Sequence, residues 1–310
     1  MRKLSILCLS IFVFAFSCTT QKRTEQESYF QIDGGKIWYQ VVGSGNKTPI
    51  VILHGGPGFP SYDLAPLFAL ADDRQIIIYD QLGCGRSGEL TDTSLMNIQS
   101  QRKELTALLK HLNINRFYLY GHSYGAALAV DYYFKEKNRP QALILSSPFL
   151  SSRKWESDAD TLIASMDTVF SKPLRNAKLR NWKDTSNYEK AMENYYNSFY
   201  NRINKNQYID SSIARTGKKL MSTMWGNEEF LVTGNLKNLD FTTDLPKITV
   251  PTLFTTGEFD AARPSTVRYF QQLTPGSKFV LIEKSGHSTM NDNTQADLKA
   301  IKDFIASLED

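Results

Sequence analysis

The segment Phe117-Tyr118-Leu119-Tyr120-Gly121-His122-Ser123-Tyr124-Gly125 constrains this chain more than any other. An apolar, aromatic-rich run ends in Gly-x-Ser-x-Gly and passes directly into the small-residue stretch Ala126-Ala127-Leu128-Ala129. That order predicts a buried strand, a tight turn with serine at its apex, and a closely packed helix. A nucleophile on such an elbow needs neighbours without Cβ, so that adjacent backbone can approach. The helix start then turns amide N–H groups and the positive end of its dipole towards a developing oxyanion. The plainer alternative is a strand–helix turn that happens to contain a serine.

A strand of this kind needs partners, and the chain supplies them. Residues 49–53, 75–79, 117–120 and 142–145 are short apolar runs of the kind buried in parallel sheets. Helical patterns at 64–70, 98–112 and 126–134 alternate with them, and 29–42 reads as a hairpin about Asp33-Gly34-Gly35. Alternation of this type argues for an α/β fold, with a mostly parallel central sheet and helices on both faces. From 151 to 240 the strand pattern stops, and Trp155, Trp182 and Trp225 sit among many Asn, Tyr and Lys residues. Strand patterns return at 250–255 and 278–282, before a terminal helix at 295–308. The economical division is a core of 29–150 and 241–310 carrying a helical cap inserted at 151–240.

Serine at the elbow needs a base, and the chain has 4 histidines. His122 adjoins Ser123, where neighbouring side chains diverge. His111 falls late in a helix, as a partner of its dipole. His54 opens a Gly-rich loop, a place for shaping backbone. His287, in Ser285-Gly286-His287-Ser288 after a strand, is the base by elimination. Asp260 in Gly257-Glu258-Phe259-Asp260 is the acid that would orient it, with Glu258 as the rival. Ser123, Asp260 and His287 then follow the chain order of the α/β-hydrolase triad. Glycine in the loop His54-Gly55-Gly56-Pro57-Gly58 lets a backbone N–H face the substrate oxygen, and the Tyr124 N–H would be the second oxyanion donor, each worth ~3 kcal/mol in the transition state.

Other chemistries find less support. Gly83-Cys84-Gly85-Arg86-Ser87-Gly88 matches G-x-G-x-x-G, yet Glu89-Leu90-Thr91-Asp92-Thr93 continues as loop, so a dinucleotide cofactor is not expected. No metal-ligand spacing is present and Cys84 has no thiol partner for zinc. The 36 basic and 32 acidic residues give a net charge of +4 without a basic stripe, so nucleic acid is not an expected partner. The 3 cysteines, at 8, 18 and 84, make no disulfide framework.

The N-terminus reads as an address. Arg2 and Lys3 precede an apolar run from 4 to 16, too short to span a bilayer but suited to a signal peptide. The run closes on Ala15-Phe16-Ser17-Cys18, which resembles a bacterial lipobox, although Phe16 is bulky for one. This makes 1–17 a lipoprotein signal peptide, Cys18 the lipidated residue and 18–28 a solvated tether, anchoring an exported protein to a membrane. The rivals are ordinary signal cleavage near Ser17 and a buried N-terminal helix.

Five motifs occur in order: His54-Gly55-Gly56-Pro57-Gly58, Asp80-Gln81-Leu82-Gly83-Cys84-Gly85-Arg86-Ser87, Gly121-His122-Ser123-Tyr124-Gly125, Gly257-Glu258-Phe259-Asp260 and Gly286-His287-Ser288. Together they resemble the proline iminopeptidase family of α/β-hydrolase serine peptidases, over roughly residues 30–305. The resemblance implies the α/β-hydrolase fold with a helical cap, and cofactor-free release of an N-terminal residue, often proline, from peptides. It implies Ser123 as nucleophile, His287 as proton shuttle, Asp260 as its orienter, and Gly56 with Tyr124 as the oxyanion hole. It also implies that Glu229, in Asn227-Glu228-Glu229-Phe230, binds the substrate's free amine. Many members carry a second glutamate directly after the triad aspartate, where this chain has Ala261. That departure leaves open a shift towards amides or other small substrates. An amidase or esterase using the same triad is therefore the alternative, and a surface-tethered binding protein the remote one.

Overall fold

The computed structural model describes residues 24–179, 187–202 and 206–309. The apolar run 4–16, Cys18 and Trp182 lie outside the described residues. Strands β1 (Glu25–Ile32) and β2 (Gly35–Val42) form the hairpin, with Tyr29 opposite Trp38. β1 begins at Glu25, inside the stretch expected to be a tether. The physical reason is that ladder pairing uses backbone groups, so the exposed, polar start of an edge strand carries no apolar signature.

The chain continues through β3 (Lys47–Leu53), a 3-10 helix (Ser61–Leu70) and β4 (Arg74–Tyr79). Pro66 lies inside that helix and lacks the N–H an α-helical ladder would need. Helix α1 (Ile98–His111) follows, capped by the Asn97 side chain on Ser100 N–H, then β5 (Tyr118–His122), α2 (Tyr124–Lys135) and β6 (Ala142–Ser146). The insertion supplies α3 (Ser152–Ser165), α4 (Thr168–Lys178), α5 (Tyr188–Phe199), α6 (Gln207–Ala214) and α7 (Lys218–Met224). The chain then closes with β7 (Thr252–Gly257), α8 (Pro264–Leu273), β8 (Lys278–Ile282), α9 (Thr289–Asp292) and α10 (Thr294–Glu309).

These strands make one 8-stranded sheet in the order β1-β2-β4-β3-β5-β6-β7-β8. Pairings from β4 through β8 are parallel, and only the β1-β2-β4 edge is antiparallel. Strand periodicity sends Ile50, Ile52, Ile76 and Ile78 to one face, where Leu64, Leu67, Ile301, Phe304 and Ile305 cover them. Val51, Leu53, Ile77 and Leu119 face the other way, against α1, α2 and α8. Both faces are buried, which is why these strands read as unbroken apolar runs rather than alternating ones. Each such Ile or Leu contributes about 1.5–3 kcal/mol by burial.

The cap enters and leaves at one clasp. Ser151 and Asp240 form an isolated antiparallel bridge, Ser152 N–H donates to Leu239 O at 2.9 Å, and Phe241 N–H donates to Leu150 O at 2.9 Å. Parallel strands put the loops after β3, β5, β7 and β8 at one sheet edge, beneath the cap.

Candidate active site

Ser123 occupies the turn between β5 and α2 at φ 54°, ψ −120°. A non-glycine residue held there costs about 1–3 kcal/mol, so the surroundings must enforce it. They do: Ser123 N–H donates to Ser146 O at 3.0 Å, and Ser123 O accepts from Ala126 N at 3.0 Å and Phe149 N at 3.1 Å. The flanking glycines are sterically required. A Cβ on Gly121 would lie 2.3 Å from Gly125 O, and one on Gly125 would lie 2.4 Å from Leu53 O. Although it stands at the N-cap position, Ser123 makes no capping hydrogen bond with its side chain. Its hydroxyl is left for chemistry.

Asp260, at the end of the loop after β7, and His287, in the loop after β8, meet in the interior. His287 Nδ1–H donates to Asp260 Oδ1 at 2.7 Å, so Nε2 is the nitrogen free to take a proton. Asp260 also accepts from Ala262 N at 2.7 Å, Thr256 Oγ1 at 3.0 Å and Gly257 N at 3.1 Å. Burial by itself pushes this carboxyl up, but the neighbouring His287 and these hydrogen bonds outweigh it and hold the group below its ordinary value. The rival, Glu258, is exposed and accepts Lys284 N–H at 2.9 Å. Ser123 and His287 form no hydrogen bond in this structure. Such bonds often tighten only when substrate is bound.

The other histidines have separate tasks. His122 donates from Nε2 to His287 O at 2.9 Å, and Ser147 Oγ donates to the same carbonyl at 3.0 Å. His122 therefore holds the loop that carries His287. Burial first, and the charge of His287 second, lower its pKa to about 3, so it remains neutral. His54 accepts Gln81 N–H at Nε2 (2.9 Å) and donates from Nδ1 to Gly55 O (2.9 Å), bracing the Gly-rich loop. His111 stacks on Phe30 at 4.9 Å, remote from this edge of the sheet.

Gly56 lies in the loop leaving β3, which packs against the start of α2: a Cβ on the adjacent Gly55 would come 3.1 Å from Ser123 Cβ. The Tyr124 N–H belongs to the first turn of α2, whose donors have no intrahelical partner. The pattern Gly83 to Gly88 closes on itself as a loop, with Gly83 N–H on Gly88 O at 2.9 Å. Arg86 Nε donates to buried Asp80 at 2.7 Å, and its guanidinium stacks on Trp38 (3.4 Å) and Tyr62 (3.8 Å). No helix opens inside this motif. Cys84 is buried, with its Sγ on Gln81 O at 3.2 Å, and burial pushes its thiol well up. Among the described residues, no group of His, Cys, Asp and Glu could hold a metal ion.

Glu229 comes to this site from the cap. Its carboxylate accepts from Tyr200 OH at 2.8 Å and Tyr196 OH at 3.5 Å, while Trp155 Nε1 donates to its backbone carbonyl at 3.1 Å. The Tyr200 and Trp155 rings lie 4.9 and 5.5 Å from the His287 ring. Burial raises the Glu229 pKa, with the tyrosine bonds and His287 opposing it. Ala261 is buried, and its N–H donates to Phe199 O at 3.2 Å. Sequence reasoning missed Tyr196, Tyr200 and Ser147. None lies in a recognisable motif, and each gains its place only through contacts distant in the chain.

A profile of the alpha/beta hydrolase fold matches residues 48–294. The proline iminopeptidase of Heyndrickxia coagulans is 36% identical over 285 residues, covering 91% of this chain and 99% of that protein. The proline iminopeptidase of Clostridioides difficile (strain 630) is 30% identical, over 90% of this chain and 97% of that one. Among solved structures, the proline iminopeptidase of Mycobacterium smegmatis superimposes with a TM-score of 0.85 at 25% identity, covering 91% of this chain and 98% of its own. VinJ superimposes with a TM-score of 0.86 at 27% identity, covering 91% and 99%.

Proposed function

The chain belongs to the proline iminopeptidase family of α/β hydrolases, and from that premise we propose a serine aminopeptidase that releases an N-terminal residue, proline preferred, from peptides. Ser123 Oγ attacks the first peptide carbonyl while His287 Nε2 takes its proton, and Asp260 stabilises the imidazolium so formed. The oxyanion is received by the N–H groups of Gly56 and Tyr124. Collapse breaks the C–N bond, and His287 returns the proton to the departing amine. Water, deprotonated by the same histidine, then hydrolyses the acyl-enzyme and frees Ser123.

The observation that carries this reading is the carboxylate of Glu229, one tyrosine ring away from the base. Glu229 is half-buried, and a partly desolvated carboxylate is costly as a lone anion. The ammonium of an unblocked N-terminus, bound beside the scissile bond, supplies the missing cation. A panel of proline and alanine p-nitroanilides, short acyl esters and N-blocked peptides, run beside Ser123→Ala, tests it. Free-amine substrates should be preferred, and Ser123→Ala should lose at least about 10⁴-fold in kcat. Blocked substrates cleaved as fast as free ones would sink the reading.

One feature favours the second reading, an amidase or esterase. Ala261 takes the position where the family resemblance leads one to expect a second glutamate, leaving a single anionic anchor. Each charge-assisted hydrogen bond is worth about 1.5–3 kcal/mol, so the grip on a cationic terminus is weaker with one anchor than with two. We further propose export as a lipoprotein, anchored to a membrane through Cys18. Support comes from Arg2 and Lys3, the short apolar run and the terminal cysteine, all outside the described residues. Mass spectrometry of the mature N-terminus from a bacterial membrane fraction, with Cys18→Ala as control, would decide it.

A further inference from the structure

The end of α5 threads between the loops that carry Asp260 and His287. Phe199 O accepts His287 N–H at 2.9 Å and Ala261 N–H at 3.2 Å, one donor from each loop. Tyr200 O accepts Ser288 N–H at 2.9 Å. The carbonyls at a helix C-terminus have no partner inside the helix, so here the triad loops satisfy them. The negative end of the α5 dipole is thereby brought against the backbone of the His287 loop.

The backbone of this strap, residues 199–202, is also held by a side chain. Asp292 is buried at the end of α9 and accepts Arg202 N–H at both carboxylate oxygens, at 3.0 and 3.1 Å. Its Oδ2 also accepts Gly286 N–H at 2.7 Å, one residue before the base. Two backbone N–H groups on one carboxylate, that of Arg202 shared between both oxygens, thus tie the cap segment to the His287 loop. Gly286 permits the close approach: a Cβ there would lie 2.9 Å from Phe199 C, Phe199 O and Tyr200 O. The same segment presents Tyr200 OH to Glu229.

We infer that Asp292 is a positioning residue, which locks strap 199–202 to the triad loops so that one segment sets both the base and the Glu229 subsite. The inference uses the triad of the proposed function but does not depend on the bond hydrolysed. Backbone N–H groups aimed at a carboxylate make strong, short hydrogen bonds, and an amide in its place presents a donor to a donor. Asp292→Asn therefore loosens the strap without changing the side chain's shape. Gly286→Ala pries open the same joint from the opposite side and leaves every charge in place.

The test measures kcat and KM for proline p-nitroanilide and p-nitrophenyl acetate, the rate of fluorophosphonate labelling at Ser123, and Tm. Asp297→Asn serves as control: Asp297 is buried nearby in α10 and accepts from Thr289 Oγ1 at 2.9 Å, with no bond to the cap. Asp292→Asn and Gly286→Ala should each lower kcat and labelling rate about 10- to 100-fold, as expected for a small misplacement of the base. KM for the ester should change less than about threefold, and Asp297→Asn should keep kcat within about twofold. Folded Asp292→Asn or Gly286→Ala with kcat and labelling within about twofold of wild type overturns the inference. So does an equal kcat loss in Asp297→Asn, which would mark general loosening. If Asp292→Asn does not fold, Gly286→Ala decides. A wild-type enzyme that cleaves the ester but not the anilide would fail as an aminopeptidase, while the strap is still judged on ester and probe.

Discussion

The triad loops and the Glu229 subsite lie side by side, yet they are held by different means. Ser123 is clamped by backbone bonds to Ser146, Ala126 and Phe149, and Asp260 by the N–H groups of Gly257 and Ala262. Glu229 has the hydroxyls of Tyr196 and Tyr200, side chains at the end of a cap helix. Backbone clamps at the ends of buried strands survive changes of side chain. Tyrosine hydroxyls on a cap do not. The comparison teaches that Ser123 and Asp260 are fixed by backbone at the ends of the strands, whereas the Glu229 carboxylate is held by side chains of the insertion.

The largest expected effect breaks the sheet side of that comparison. In Asp260→Asn the asparagine amide no longer fixes the Nδ1–H tautomer of His287, and kcat should fall about 10⁴-fold for every substrate class alike. Steady-state rates on anilide and ester check this. An ester rate that survives while the anilide rate collapses would contradict it.

A smaller and more selective effect probes the cap side. Glu229→Gln removes the anion but keeps an acceptor for Tyr200. Loss of one charge-assisted bond should lower kcat/KM for free-amine substrates about 10- to 100-fold and leave acyl esters nearly unchanged. Equal losses on both classes would show that Glu229 serves the triad rather than the substrate amine.

The smallest effect concerns stability and lies away from both regions. Glu104 is buried in α1, accepts Leu82 N–H at 3.1 Å, and has its pKa raised by burial from 4.5 to about 8. Between those values the folded state keeps a proton that the unfolded chain releases, so stability falls as pH rises through the window. Glu104→Gln retains an acceptor and never ionises. It should flatten the decline in unfolding free energy between pH 4.5 and about 8, followed by denaturant melts at several pH values. An unchanged slope would assign the pH dependence to other carboxyls raised by burial, Asp63 and Asp297 to about 7 and Asp158 to about 6.

Several parts were legible in advance for identifiable reasons. Buried strands at 49–53 and 75–79 announced themselves because both sheet faces are covered, so 50–53 and 76–78 run without a polar residue. The serine elbow was legible because its sterics demand glycine at fixed offsets. His287, singled out by elimination among few histidines, is the one that the structure places on Asp260. In contrast, the start of β1 at Glu25 was hidden, since an edge strand pairs through backbone alone. His122 was set aside because its neighbour is the nucleophile, yet its ring reaches the carbonyl of the base. The strap at 199–202 and its anchor Asp292 left no local mark at all.

By itself the amino-acid order determined the alternation of strands and helices, the insertion and the order Ser123, Asp260, His287, because these rest on local sterics and burial periodicity. Only the tertiary structure decided which nitrogen of His287 is free, what surrounds Glu229, and how the cap is fastened to the base. Those facts depend on hydrogen bonds between residues tens to more than a hundred positions apart, such as His287 to Asp260, Tyr200 to Glu229 and His122 to the His287 carbonyl. No spacing within one segment encodes such a bond, since it exists only once the sheet has aligned its loops along one edge.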